Sequence, residues 1–222
     1  KHGGIFNQTA VDIKWVDSET VNDENVADIL SDVDGIIVPG GFGDRGIEGM
    51  ISSIKYAREN NIPFLGLCLG MQLAIVEFAR DVIGYKDAHS IEFDPNTTHP
   101  MIALLPDQNG VEDIGGTLRL GSYPCVLDKE SKAFELFGSE NITERHRHRY
   151  EVNNDYRNVL IQNGLKLCGM SPDGRIVEMI ELPSNDFHMA TQAHPELKSR
   201  PNRPHPLFSG FIKASLEHGN KG

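Results

Sequence analysis

Cysteine is scarce in this chain. Cys68, Cys125 and Cys168 are the only three in 222 residues, an odd number without metal-ligand spacing. That argues against a disulfide-stapled secreted domain and points to a reduced, cytoplasmic protein. No apolar run has the length of a membrane span, and no signal peptide is recognisable. Basic residues are in the minority, 21 Lys and Arg against 32 Asp and Glu. The net charge of −11 argues against a general nucleic-acid or anionic-membrane binder. Internal repeats and low-complexity segments are also missing. What remains, 39% hydrophobic and 24% charged residues, is an ordinary globular composition, long enough for one domain with a substantial core.

The most informative stretch is Gly66-Leu67-Cys68-Leu69-Gly70. Ile62-Pro63-Phe64-Leu65 before it reads as a buried parallel strand, and Leu69 to Val76 after it as the opening turns of a helix. Cys68 falls on the corner between them. G-x-C-x-G is the thiol form of a nucleophile elbow, with the reactive residue in a strained turn and glycines leaving room for the reversal. A thiol at a helix N-terminus is favoured as thiolate by the unpaired N–H groups and the dipole. The bland alternative is a small apolar side chain under a helix. Cys125 and Cys168, in apolar strand-like stretches, read as core packing.

Two distant stretches strengthen the reactive reading. Val38-Pro39-Gly40-Gly41-Phe42-Gly43 follows the apolar strand Gly35 to Val38 and can aim backbone N–H groups at an oxyanion. Ala193-His194-Pro195-Glu196 supplies an imidazole with a carboxylate two residues on. Cys68, His194 and Glu196 make a thiol triad in which the histidine takes the proton and the glutamate orients the ring. The remaining histidines lack ligand spacing, so no metal is predicted.

Along the chain, Val11 to Val16 alternates as a half-buried strand, and Asn25 to Ser31 reads as a short helix. Ile47, Met50, Ile51, Ile54 and Ala57 recur at helical spacing up to Asn60-Asn61. Strand and helix alternate here as in a doubly wound α/β sheet, whose reactive loops gather beyond the carboxyl ends of the strands. From Met101 the pattern shifts to short strands: Met101 to Leu105, Thr117 to Leu120, Cys125 to Leu127, and a hairpin turning at Asp173-Gly174. Phe187 to Ala193 reads as the strand that delivers His194, and Pro206 to His218 as a terminal helix. The expected fold is α/β, a doubly wound, mostly parallel sheet flanked by helices, with an antiparallel extension. Lys1-His2-Gly3-Gly4 is an odd opening, because a glycine pair usually closes a helix.

With the elbow, the glycine loop and the His-Pro-Glu segment together, the whole chain resembles the class I, triad-type glutamine amidotransferases. Gly40 to Gly46, Cys68 to Gln72 and Arg145-His146-Arg147-His148-Arg149-Tyr150-Glu151-Val152-Asn153 resemble more closely the CTP synthase family within that class. The resemblance implies a flavodoxin-like core and a domain lacking its first strand and helix, with a larger synthase (amidoligase) domain ahead of them. It implies L-glutamine as substrate, with Cys68, His194 and Glu196 catalytic, and Gly41 and Leu69 as oxyanion donors. Gly41, the span Leu69, Gly70, Met71 and Gln72, together with Glu92 and Arg149, would bind glutamine. A zwitterionic amino acid needs one anionic and one cationic anchor, which suits Glu92 and Arg149. Alone, Glu92 reads first as a solvated surface carboxylate.

No cofactor is expected in this domain. For a full enzyme, a ligase of pyrimidine biosynthesis, the resemblance implies ATP, UTP, Mg2+, a GTP activator and a homotetramer. Alternation along a strand sends Arg145, Arg147 and Arg149 to one side and His146 and His148 to the other. Arg145 to His148 stay open as an exposed strand face, a phosphate or nucleotide patch, or an interface with the synthase domain. Ala193 and Leu197 depart from the family, where aromatic residues are usual, and predict looser packing around the imidazole. The alternatives are another class I glutamine amidotransferase, a γ-glutamyl hydrolase, or an inactive regulatory or assembly module.

Overall fold

The protein was examined as a computed structural model that describes residues 1–105 and 118–221. The chain begins with α1 (His2–Phe6), α2 (Val26–Leu30), β1 (Ile36–Val38), α3 (Ile47–Glu59), β2 (Phe64–Leu67) and α4 (Leu69–Phe78). Three short strands and one long one are β3 (His89–Ser90), β4 (Pro100–Ala103), β5 (Arg119–Leu127) and, after α5 (Lys132–Phe137) and β6 (Asn141–His148), β7 (Glu151–Val152). The chain closes with α6 (Arg157–Gln162), β8 (Lys166–Met170), β9 (Val177–Glu181), β10 (His188–Thr191) and α7 (Pro206–Gly219).

Seven strands form one sheet in the order β1-β2-β10-β9-β8-β5-β6, and β3-β4-β7 form a second, smaller one. β1, β2 and β10 run parallel, and the rest of the large sheet pairs antiparallel. The expected α/β sheet with an antiparallel extension is therefore present, but among the described residues the extension is longer than the parallel part. Register decides what this means for function. Val38 lies opposite Gly66, and Thr191 opposite Leu67, so β1, β2 and β10 end level with one another. The residues that follow each strand must meet at that edge.

Both sheet faces are covered, which is why β2 reads as an unbroken apolar run. Phe64, Ala190 and Ile180 face a core shared with α2, α3, α4 and α6, while Leu65, Met189 and Met179 face the one closed by α5 and α7. α7 starts where Pro206 follows His205, whose ring accepts from the Leu207 N–H; proline at the first helical position loses no bond. α4 is buried along its whole length and packs closely enough on β1 that a Cβ at Gly70 would lie 2.1 Å from the Val38 carbonyl oxygen.

Three expectations are corrected. Val11 to Val16 forms no strand, and Ile13, Trp15 and Val16 are exposed. An alternating segment settles into a sheet only when a neighbour completes its ladder, and none of the described strands pairs with it. Gly3-Gly4 lies inside α1 rather than closing a helix. Both glycines are buried, and a Cβ on Gly3 would lie 2.5 Å from the Phe208 oxygen of α7. The strands expected at Thr117 to Leu120 and Cys125 to Leu127 are one strand, β5, with Thr117 outside the described residues. Pro124 is accommodated because β8 pairs with β5 only at Val126 and Leu127, leaving the proline on a locally open edge.

The Gly70 approach leads to the first prediction. Gly70→Ala should lower the urea midpoint, with a loss of about 1–3 kcal/mol, because the helix must move off β1. An unchanged midpoint would show that the elbow tolerates this displacement.

Candidate active site

Cys68 joins β2 to α4 with φ 52° and ψ −102°. A side chain holds such a backbone only where its surroundings impose it, at a cost of about 1–3 kcal/mol. Here the Cys68 N–H donates to Thr191 O at 2.8 Å, and its carbonyl accepts from the Met71 and Gln72 N–H groups. Gly66 leaves the space: a Cβ there would lie 2.8 Å from the Gly70 backbone and 3.0 Å from Ala190 Cβ. The elbow expected from the sequence is thus formed, with its two glycines needed for close approach. Cys125 and Cys168 are buried, and burial pushes the Cys125 thiol up to about 12 and Cys168 up as well.

His194 follows β10 and is anchored by its N–H donating to Arg145 O at 2.8 Å. Its Nδ1 lies 2.6 Å from Glu196 Oε1, which leaves Nε2 as the proton-transferring atom. The Cys68 sulfur and then the Glu196 hydrogen bond raise the imidazole to about 10, against the opposing effect of burial. Nε2 is nevertheless buried without a hydrogen-bond partner. Geometry decides between these: the bond to Glu196 is formed and the one from Nε2 to the sulfur is not closed. Burial, the largest single influence, pushes the Glu196 carboxyl up, but the bond to His194, a backbone hydrogen bond and the nearby His194 and His205 charges together outweigh it, and the net shift is downward.

The loop after β1 completes this edge. Gly40 makes the tightest approach, since a Cβ there would meet His194 Cε1 at 3.0 Å and Cys68 Cβ at 3.3 Å. Gly41 lies next to it, where a Cβ would reach only Leu69 Cδ2 at 3.5 Å. Leu69 is the first residue of α4, a position at which a helix has no carbonyl of its own for the N–H. Of the span Leu69 to Gln72, the Met71 side chain is core packing, fully buried. Gln72 turns inward, with Nε2 donating to Tyr150 O and to Gln192 Oε1, both at 3.2 Å.

The smaller sheet supplies the charged pair. Glu92 follows β3 and Arg149 precedes β7, both strands pairing with β4. Glu92 is exposed as a residue, yet enough protein surrounds its carboxyl that burial raises its pKa, with the Arg149 charge pulling it down. Glu92 and Arg149 therefore share one electrostatic environment.

The basic run alternates as expected: Arg145 and Arg147 point out of β6, while His146 and His148 are buried. Arg147 lies over the exposed Phe42 ring at 5.6 Å. Beneath, Arg119 bridges Glu178 and Glu151, and burial pushes Glu151 up to about 8 although Arg119 opposes it. Sequence reasoning missed this network and Gln192, and named Gly40 only as part of the glycine loop, because nothing local marks residues whose partners lie far along the chain. Among the described residues, no three His, Cys, Asp or Glu side chains converge to hold a metal ion, and no helix is long and apolar enough to cross a membrane.

Known proteins match this arrangement. Residues 2–214 fit the family model for glutamine amidotransferase class-I, and the chain belongs to that family. Within it, the chain is 62% identical over 98% of its length to a CTP synthase of Staphylococcus saprophyticus and 60% identical to one of Staphylococcus aureus. It spans 41% of the length of those curated relatives. A solved structure described as the Trypanosoma brucei CTPS glutaminase domain with bound acivicin superposes with a TM-score of 0.92 at 37% identity, over 97% of this chain and 84% of that one.

Because the folded imidazole is raised from 6.5 to about 10, its contribution to stability should be complete below pH 6.5 and lost as pH rises through 10. Histidine NMR titration should show the His194 midpoint falling toward the ordinary range in Cys68→Ala, and by less in Glu196→Gln. An unmoved midpoint in both variants would rule out the charge pair.

Proposed function

We propose that this chain is the glutaminase half of a CTP synthase, hydrolysing L-glutamine through a thioester on Cys68. The observation that carries the reading is the strained Cys68 with His194 and Glu196 at the same sheet edge. The Cys68 thiolate attacks the side-chain carboxamide carbon, and the resulting oxyanion faces the N–H groups of Gly41 and Leu69. Losing one such donor costs ~3 kcal/mol in comparable acyl-transfer sites. The C–N bond then breaks, His194 gives its proton to the departing nitrogen, and ammonia leaves.

The cause of the raised imidazole supports the second half of the cycle. The sulfur's charge is among the causes that raise His194, so acylation, which removes that charge, moves the imidazole back toward its ordinary range. The ring can then take a proton from water, which attacks the thioester and releases glutamate with the thiolate restored. Glu92 receives the substrate ammonium and Arg149 the α-carboxylate. The backbone from Leu69 to Gln72 lines the pocket between them, with the Met71 side chain in the core behind it.

In the full enzyme, the ammonia passes to an amidoligase domain, normally on the same chain, that aminates UTP using ATP and Mg2+, with GTP as activator. We assign the full protein to a cytoplasmic homotetramer, with Arg145 to His148 near the junction between domains. The domain itself needs no cofactor.

A diazo-ketone glutamine analogue tests the reading directly. Mass spectrometry of the incubated chain should show one adduct mapped to Cys68 and none in Cys68→Ala. Arg149→Ala should slow labelling at least tenfold at low analogue concentration by weakening capture of the α-carboxylate. Absence of an adduct on the folded native chain would put a regulatory module ahead of a glutaminase.

A further inference from the structure

Gln192 is the most deeply buried polar group at the reacting sulfur. It lies just past β10, two residues before His194, with no exposed surface, and its backbone N–H donates to Glu178 O at 2.9 Å. Its side-chain Nε2 sits 3.7 Å from Cys68 Sγ, within range of an N–H to sulfur hydrogen bond.

The orientation of that amide follows from donor and acceptor accounting. Gln72 Nε2 lies 3.2 Å from Tyr150 O, which can only accept, so this end of Gln72 must be its nitrogen. The second hydrogen of the same nitrogen points to Gln192 at 3.2 Å, so the facing atom there must be Oε1. With its oxygen so occupied, Gln192 has its NH2 group turned to the sulfur. Flipping the amide would set two donors against each other and place a carbonyl oxygen beside a thiolate, unfavourable on both sides.

We propose that Gln192 is a further catalytic residue, whose side-chain N–H holds the Cys68 sulfur as thiolate and directs it toward the incoming carboxamide, with Gln72 and Tyr150 O fixing the amide. The role deepens the glutaminase reading and rests on it for the step served. His194 neutralises the sulfur's charge from one side; Gln192 supplies a neutral donor from the other that cannot itself be deprotonated by the thiolate. When the S–C bond forms, the sulfur loses its charge and the N–H its charged acceptor. As hydrolysis breaks that bond, the donor favours sulfur as the leaving group. Among the described residues, His194 is the titratable group whose electrostatics involve the sulfur, with Glu196 bonded to its far nitrogen.

Gln192→Leu removes the donor at similar volume. Iodoacetamide alkylation of Cys68, mapped by peptide mass spectrometry, should slow about tenfold at pH 7, with the rate profile displaced to higher pH. Buried Cys125 and Cys168 serve as controls for folding by staying unlabelled. Glutamine turnover should show a comparable fall in kcat with KM changed less than about twofold. Gln72→Leu, which releases the Gln192 amide, provides a second reading and should slow alkylation several-fold. Unchanged alkylation in either folded variant would overturn the proposal and leave Gln192 as packing. If the native chain hydrolyses no glutamine while Gln192→Leu still slows alkylation, the glutaminase reading fails and the contact to the thiolate stands.

Discussion

The level register of β1, β2 and β10 is the constraint on which the site depends. Hydrogen bonds between parallel strands fix which residues end together, and here they set Val38, Leu67 and Thr191 at one edge. Gly40, Cys68 and His194 follow directly and need no long side chains to meet. A slip of one residue in either pairing would turn every core side chain to the opposite face. The two hydrophobic cores therefore hold the catalytic register as firmly as they hold the fold.

The strained elbow is the local cost of that arrangement. Cys68 keeps a left-handed backbone because Thr191 O takes its N–H and α4 takes its carbonyl. The same bond ties the nucleophile to the strand that ends just before the histidine. Glycine is required on both sides, where a Cβ would collide with backbone. Geometry imposed from three directions leaves the thiol little freedom, which is what preorganised acyl transfer demands.

Charge is distributed with similar economy. His194 is raised by the sulfur and the glutamate that flank it, which suits the proton donation and later proton uptake proposed for it. Glu92 follows β3 of the small sheet and Arg149 joins β6 of the large sheet to β7 of the small one, so the groups proposed to anchor the substrate are positioned by both sheets. Behind the basic strand, Arg119 pairs with Glu178 and Glu151, and the outward arginines leave an exposed cationic face next to Phe42. Removing one member of the buried set would strand a charge in a low-dielectric interior.

Much of this was legible in the residues themselves. The elbow, the glycine loop, the His194 and Glu196 pair and the alternation of Arg145 to His148 are all local patterns, because strand period, helix entry and turn chemistry act over a few residues. The α/β class followed from their order. Tertiary structure alone decided the length of the antiparallel extension, the continuity of β5 through Pro124 and the exposed state of Val11 to Val16, since each depends on which neighbour is available to pair. It alone decided that Gly40 touches the histidine and that Gln192 meets the sulfur. Those contacts join residues more than a hundred positions apart, and no short-range periodicity encodes a partner at that distance.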